Sequence, residues 1–182
     1  MTSDNTWRRP ASGAPSDRWP RKLHWWLLQG SGWLFLAYLL YAQAIAAFDY
    51  ELGIRMGTQE SAEQVTAVGV AYWWAFAFGD LVAYLPLLLF GLIGHLRGRR
   101  WGYVVLAAAF GITVYWPVVS LGAVFAARDA PGWALRGEAA YWAVLPVVAL
   151  WGIWGLWRVC HDMPPTAGSG QVWRATSKKK DV

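Results

Sequence analysis

Asp80 is a carboxylate in the middle of an apolar segment that is long enough to cross a lipid bilayer. Between Tyr72 and Phe90 it is the only charged residue. An ionised Asp at the centre of a membrane helix costs about 2.5–3.5 kcal/mol on the insertion scale, so such residues usually face a partner group or a water-filled cavity. Asp80 is therefore the residue around which we expect a functional site.

Several hydroxyl groups are expected at the depth of Asp80. A helix rises about 1.5 Å per residue, and counting from the predicted helix ends places Tyr115 of the third apolar segment and Tyr38 of the first near that depth. Tyr84 lies one helical turn from Asp80. We expect tyrosine or threonine hydroxyl groups to donate hydrogen bonds to the carboxylate. The sequence predicts the following ligand-binding residues: Asp80, Tyr84, Tyr115, Trp116, Thr113 and Tyr38.

Prolines also occur at this depth, one in each of the second, third and fourth segments: Pro86, Pro117 and Pro146. Each lacks a backbone N–H and frees the carbonyl group four residues earlier. One interpretation is that the prolines reflect the ordinary composition of membrane helices. The other is that they kink three helices around a central cavity, where the freed carbonyl groups could coordinate a cation or a ligand hydroxyl.

The chemistry of Asp80 has three interpretations. It fixes the packing of two helices through a hydrogen bond, a kind of contact that averages about 0.6 kcal/mol in membrane proteins. It binds a small apolar or lipid-like ligand through that ligand's polar group. Or it carries a proton or an ion as part of a membrane enzyme or a transporter, which with only four spans would need to form an oligomer to enclose a pathway.

Evidence for an enzyme is thin. The sequence contains no Walker loop, no dinucleotide-binding glycine pattern, no zinc-ligand spacing and no Ser/His/Asp set. The three histidines, His24, His95 and His161, fall at the predicted ends of spans, where we expect them at the membrane interface. We therefore predict no catalytic residue, no metal and no cofactor. We favour a ligand-binding protein or an accessory subunit of a membrane complex.

Four apolar segments must position these residues. The chain is 57% hydrophobic and 15% charged, and its charges fall between segments that each reach the roughly 20 residues needed for a transmembrane helix. The sequence predicts an all-α, integral membrane four-helix bundle over residues 23–160, with spans at about 24–48, 66–95, 101–127 and 138–159. Residues 1–22 are predicted to form a disordered basic arm, and residues 161–182 a flexible basic tail.

The second helix is expected to begin before the membrane. The stretch Ser61–Gln64 matches a capping box, in which the first and last side chains bond to free amide groups at a helix start. The helix would then run about 35 residues to His95.

Positive charge is distributed unevenly. Of the 16 Lys and Arg residues, only Arg55, Arg128 and Arg136 fall in the two loops on the side opposite the termini. Because positive charge marks the cytoplasmic face, both termini are predicted to be cytoplasmic. The net charge of +5 is thus a topology signal that can contact anionic lipid, and no nucleic-acid partner is predicted. Many of the 15 Trp residues lie near span ends, as in the aromatic belts of membrane proteins.

Two motifs carry a family resemblance. The stretch Gly79–Pro86 (GDLVAYLP) and the stretch Gly111–Pro117 (GITVYWP) resemble those of small bacterial four-span inner-membrane proteins. The resemblance covers the membrane region and implies a multi-pass protein of the bacterial inner membrane; it implies no activity. The partners we expect are the lipid bilayer and either a lipid-like ligand or another membrane protein, with an oligomer as a further option.

Overall fold

The computed structural model describes residues 18–164, and the predictions made for residues 1–17 and 165–182 lie outside the described residues. Within the described part of the chain every regular element is a helix. In chain order they are α1 (Arg18–Leu39, a π-helical turn at Leu40–Ala44, and Ile45–Phe48), α2 (Tyr50–Arg55), α3 (Ala62–Gly79, a π-helical turn at Asp80–Tyr84, and Leu85–Leu96), α4 (Arg100–Ala127) and α5 (Glu138–His161). The predicted all-α class is confirmed.

Four helical segments are long and apolar enough to cross a membrane. They are Leu23–Phe48, Ala62–Leu96, Arg100–Ala127 and Glu138–His161. The four predicted apolar spans are therefore confirmed, whereas the orientation of the termini and the type of membrane stay predictions. Helix α1 begins at Arg18, so residues 18–22 of the predicted disordered arm are helical. Once a helix has nucleated, each added residue gains a hydrogen bond, which favours such extension.

The start of α3 agrees with the predicted position but not with the predicted capping bonds. The span begins at Ala62 and runs 35 residues to Leu96. Ser61 occupies the N-cap position with an extended backbone, yet its side chain makes no capping hydrogen bond. The carbonyl oxygen of Gln64 instead accepts a hydrogen bond from the backbone N–H of Ala134 (2.8 Å). The loop between α4 and α5 thus holds the start of α3.

Helix α4 has the most extensive contacts of any span. It packs against α5 and against the second half of α3, and α1 packs on that same half of α3. The core between these helices is mostly apolar, and its fully buried large side chains include Leu88, Leu92, Leu106 and Phe110. Side chains also join α1 to α5, since Trp151 Nε1 donates a hydrogen bond to Ser31 Oγ (3.0 Å).

Backbone contact joins α3 and α4 near the turn that connects them. A Cβ atom on Gly94 would lie 2.5 Å from the Cα atom of Gly102, and one on Gly102 would lie 2.2 Å from the carbonyl carbon of Gly94. No side chain fits at either position unless the helices separate. Small residues permit this approach in membrane helices, whose association is driven by close packing.

The first half of α3, Ala62–Gly79, does not follow α4. It packs against the π-helical turn and the last residues of α1, and its backbone makes few close approaches to α4. Near the far ends of α3 and α4, the side chains of Val65, Trp73 and Val124 form a separate small core. The backbones of the two helices are thus close at their connecting turn and farther apart at the other end, where side chains fill only part of the gap between them.

The two halves of α3 meet at a π-helical turn that precedes Pro86. The backbone N–H of Leu85 bonds to the carbonyl oxygen of Asp80, five residues earlier rather than four. Prolines and π-helical turns are both sites at which helices bend. By contrast, Pro117 and Pro146 lie inside helices that stay α-helical throughout. The three prolines therefore do not produce three equivalent irregularities.

A buried polar network links α1 to α3 near the turn that connects α3 to α4. Gln29 Nε2 lies 2.7 Å from His95 Nδ1 and 3.3 Å from the carbonyl oxygen of Leu92, and Gln29 Oε1 accepts a hydrogen bond from Trp33 Nε1 (3.0 Å). His95 Nδ1 is the acceptor of the first bond, because the amide nitrogen can only donate. His95 is 4% exposed. It is therefore a core residue at the end of its span, and its position at the membrane interface stays a prediction.

We expect Gly102→Ala to lower the free energy of unfolding in detergent micelles by about 1–3 kcal/mol, the usual range for overpacking a tight contact. Gly122→Ala is the matched control in the same helix, because a Cβ atom there meets nothing within 4 Å. It should be neutral or slightly stabilising, since Ala has the higher helix propensity. Denaturant unfolding of both variants is the measurement, and equal stabilities would contradict the backbone contact.

Gln29→Leu should lower the free energy of unfolding by about 1–3 kcal/mol, because it leaves His95 Nδ1 buried without a partner. The double variant Gln29→Leu/His95→Phe should recover part of that loss, since removing both polar partners can be nearly neutral. Unfolding curves of the single and double variants test this. A double variant that is less stable than Gln29→Leu would show that Gln29 does not act through this hydrogen bond.

Candidate functional site

Asp80 lies at the first position of the π-helical turn in α3. Its side chain is 5% exposed, and its Oδ2 atom is shielded from solvent and has no hydrogen-bond partner among the described residues. A buried polar group left unsatisfied costs about 1–3 kcal/mol, and π-helical turns are rare and frequent at functional sites. Both observations are unusual for a residue whose role is only structural.

Asp80 forms part of the wall of a groove of about 420 Å³ between α3 and α4, which we call the Asp80 groove. Three small, exposed residues at successive turns of α3 create the depression: Ala75, Gly79 and Ala83. Larger side chains border it, namely Tyr72, Phe76 and Tyr84 of α3 and Ile112, Tyr115 and Trp116 of α4. The groove therefore lies on an outward face of two apolar helices and carries one carboxylate.

The Asp80 groove brings together four of the predicted site residues, because Asp80, Tyr84, Tyr115 and Trp116 all line it. Tyr115 is 63% exposed and makes none of the expected hydrogen bonds to Asp80. Trp116 Nε1, like Asp80 Oδ2, is shielded and has no partner in the described part of the chain. Two residues of the walls thus each hold a shielded polar atom without a partner, an acceptor on Asp80 and a donor on Trp116.

Tyr84 and Thr113 bond to each other and not to Asp80. Their hydroxyl groups form a buried hydrogen bond, and Thr113 also donates to the carbonyl oxygen of Ala109 (3.0 Å). Since Thr113 has a single hydroxyl hydrogen, Tyr84 is the donor of the pair. The expected donation from these hydroxyl groups to the carboxylate is therefore wrong. Thr113 is a buried contact between α3 and α4 that does not line the groove.

Tyr38 is not part of the Asp80 groove. It is 53% exposed on α1 and stacks against Phe35, with ring centroids 6.1 Å apart. Counting residues gives the height of a side chain but not the direction in which its helix presents it. Because α1 packs on α3 and not on the open side of α4, Tyr38 does not line the groove.

A polar cluster around Glu60, at the end of the spans opposite Gly102, has no counterpart in our sequence predictions. Tyr141 Oη donates to Glu60 Oε1 (2.7 Å), and the Tyr50 hydroxyl donates to the carbonyl oxygen of Glu60 (3.1 Å). Burial raises the pKa of Tyr50 to about 12, with smaller contributions from the charges of Glu60 and Glu51, so this hydroxyl remains a donor at physiological pH. The only sequence signal was an acidic loop beside a span, and no spacing rule connects that loop to Tyr141.

The described residues contain no group of three or more His, Cys, Asp or Glu side chains placed to hold a metal ion. The lining of the Asp80 groove offers apolar contact, hydrogen-bonding groups and one carboxylate.

The protein was compared with known proteins at three levels. A scan against protein-family models, a search of curated proteins and a search of solved structures each found no match. The basis for a functional proposal is thus the chemistry of the groove itself.

Proposed function

We propose that this chain is a multi-pass membrane protein that binds a small apolar, lipid-like ligand in the Asp80 groove. The observation that carries the proposal is the shielded Oδ2 atom of Asp80, which has no hydrogen-bond partner although its residue lines a groove of ligand size. The groove lies on an outward face of apolar helices, so a ligand dissolved in the bilayer would reach it from the side.

The two unpaired groups in the walls favour a ligand that carries a hydroxyl group. A carboxylate only accepts hydrogen bonds and an indole N–H only donates, whereas a hydroxyl does both. A hydroxyl near Asp80 and Trp116 would therefore suit both groups, and an apolar body would pack over Ala75, Gly79 and Ala83. An amphiphilic alcohol is the ligand class that fits best.

An accessory subunit is the second candidate, and the row of small residues favours it. Ala75, Gly79 and Ala83 are each four residues apart and exposed, which is the spacing at which membrane helices pack closely against a partner helix. In that case a helix of another membrane protein, or of a second copy of this chain, would cover the Asp80 groove.

A role for Asp80 in proton transfer has less support from the residues that line the groove. Buried carboxylates in membrane helices often mark proton pathways, but the residues lining the Asp80 groove include no second carboxylate, no histidine and no cation. Asp80→Asn separates the two roles, because the amide oxygen still accepts a hydrogen bond whereas the amide cannot carry the proton. Alcohol binding should therefore survive this change.

Asp80→Leu should raise the free energy of unfolding of the ligand-free protein by about 1–3 kcal/mol, because it replaces an unsatisfied buried carboxylate with an apolar side chain. Thr113→Val is the matched control. It removes the hydroxyl that pairs with Tyr84 and should lower the stability. Denaturant unfolding in the same micelles measures both effects, and a clear loss of stability in Asp80→Leu would show that Asp80 is a structural contact between helices.

The purified protein should bind a long-chain alcohol more tightly than the alkane of the same length, as measured by native mass spectrometry in micelles. Asp80→Leu should weaken alcohol binding by about tenfold, the loss expected of a hydrogen bond to a charged group, and leave alkane binding unchanged. Asp129→Asn, in an exposed loop, is the control carboxylate and should have no effect.

Gly79→Leu, which fills the Asp80 groove, decides between the ligand and the partner helix. Loss of alcohol binding in a protein of unchanged oligomeric state supports the ligand. An absence of alcohol binding in the wild type, together with an oligomer that Gly79→Leu dissociates, would replace the ligand proposal with the accessory-subunit candidate.

A further inference from the structure

A second depression continues the gap between α3 and α4 away from their connecting turn, and we call it the Trp73 cleft. It has a volume of about 360 Å³ and lies between the first turns of α3, the last turns of α4 and the loop that follows α4. Tyr72 lines both the Asp80 groove and the Trp73 cleft. The two depressions are therefore neighbours.

The same face of each helix lines both depressions. Residues spaced three or four apart, as on a single helix face, recur through the α3 lining of both depressions. They are Val65, Gly69, Tyr72, Phe76, Gly79 and Ala83, and the other α3 lining residues lie next to them. On α4 the lining residues continue from Ile112 and Trp116 in the groove to Ala123 and Ala127 in the cleft. The Asp80 groove and the Trp73 cleft are thus two sections of one gap between diverging helices.

Two residues that line the Trp73 cleft, Trp73 and Trp133, have indole N–H groups without partners. Trp73 is 8% exposed, and the Nε1 atoms of Trp73 and Trp133 are shielded and unbonded among the described residues. Seven buried side-chain nitrogen or oxygen atoms lack a partner in the described part of the chain. Four of them belong to residues that line this gap, namely Trp73, Asp80, Trp116 and Trp133. Unsatisfied polar groups are rare in folded proteins, so their concentration along one gap indicates a binding site.

Backbone strain occurs in the same cleft. Thr66 lines it and has φ 65° and ψ 168° inside α3, the one positive φ of a non-glycine residue among the residues described. For a β-branched residue this conformation is strained, and such strain clusters at ligand-binding sites. The strain is a second observation, independent of the unpaired indoles, that points to the cleft.

The uncharged lining of the Trp73 cleft favours a neutral hydrogen-bond acceptor as its ligand group. None of its lining residues is charged, and Arg128, which follows the lining residue Ala127, pairs with Glu138 (2.6 Å). Burying an anion without a cation is strongly unfavourable, so a phosphate or a carboxylate fits poorly. An ester or ketone carbonyl oxygen has two lone pairs that can accept hydrogen bonds from indole N–H groups, and it brings no charge.

We propose that the Trp73 cleft binds the carbonyl group of the same ligand whose hydroxyl group binds at Asp80, an inference that rests on the proposed function. The ligand is then a neutral amphiphile with a hydroxyl group and a carbonyl group joined by an apolar chain. Trp73 and Asp80 are seven residues apart, so their backbone positions lie about 10 Å apart along the axis of α3. Tyr72 and Phe76 lie between them and pack against the chain.

The test measures how tightly two probes bind to the full-length protein in micelles. One is the methyl ester of a medium-chain ω-hydroxy acid, and the other is the straight-chain alcohol of the same length, which lacks the ester. The ester should bind at least about fivefold more tightly, the gain expected of one hydrogen bond. Trp73→Phe and Trp133→Phe should each weaken ester binding by about fivefold and leave alcohol binding unchanged. Trp157→Phe, at an exposed site on α5, is the matched control and should change neither.

Equal affinity of the wild type for the two probes, or an ester preference that survives both substitutions, would overturn the carbonyl assignment. The hydroxyl site would still stand in that case if Asp80→Leu weakens both probes. If Asp80→Leu weakens neither probe, the proposed function itself fails. A diester phospholipid that displaces the ester probe as effectively as the unlabelled ester does would show that the cleft holds ordinary bilayer lipid, and this too would overturn the assignment.

Discussion

The backbone contact between α3 and α4 at Gly94 and Gly102 is the constraint on which the rest of the structure depends. It holds the two helices closer than any side chain would allow, so their connecting end has no room for a ligand. The first half of α3 makes its close backbone contacts with α1 and few with α4, so the backbones of α3 and α4 diverge toward their other ends. The Asp80 groove and the Trp73 cleft occupy the space that this divergence leaves.

The π-helical turn at Asp80–Tyr84 lies where the tightly packed half of α3 meets the diverging half. Pro86 follows this turn and cannot supply the backbone donor that a regular α-helix needs. Helix α1 has its own π-helical turn at Leu40–Ala44, and the two irregular turns contact each other. The irregularity is therefore shared by two packed helices, and it places Asp80 in the wall of the gap without a hydrogen-bond partner for Oδ2.

Buried polar groups are hydrogen-bonded near one end of α3 and left without partners along the rest of the helix that faces the gap. Near the connecting turn, Gln29 and His95 bond to each other in a tightly packed core. Along the gap, Asp80 and Trp73 keep buried atoms unpaired, and Thr66 has a strained backbone. Proteins usually break local rules of this kind where a site is needed. The same hairpin thus provides stability at one end and a candidate site at the other.

The sequence by itself determined the helical class and the four apolar spans, because segment length and charge placement act locally. It also singled out Asp80, since a carboxylate in lipid is costly, and it placed Tyr115 at the same height because helical rise is constant. Only the tertiary structure decided the direction in which each side chain points. Whether Tyr84 bonds to Asp80, whether Tyr38 reaches the groove and whether His95 is buried all depend on how each helix is rotated and which neighbour it packs on. The π-helical turns and the divergence of α3 from α4 determine these rotations and packing neighbours. They cannot be predicted from the spacing of residues within one segment.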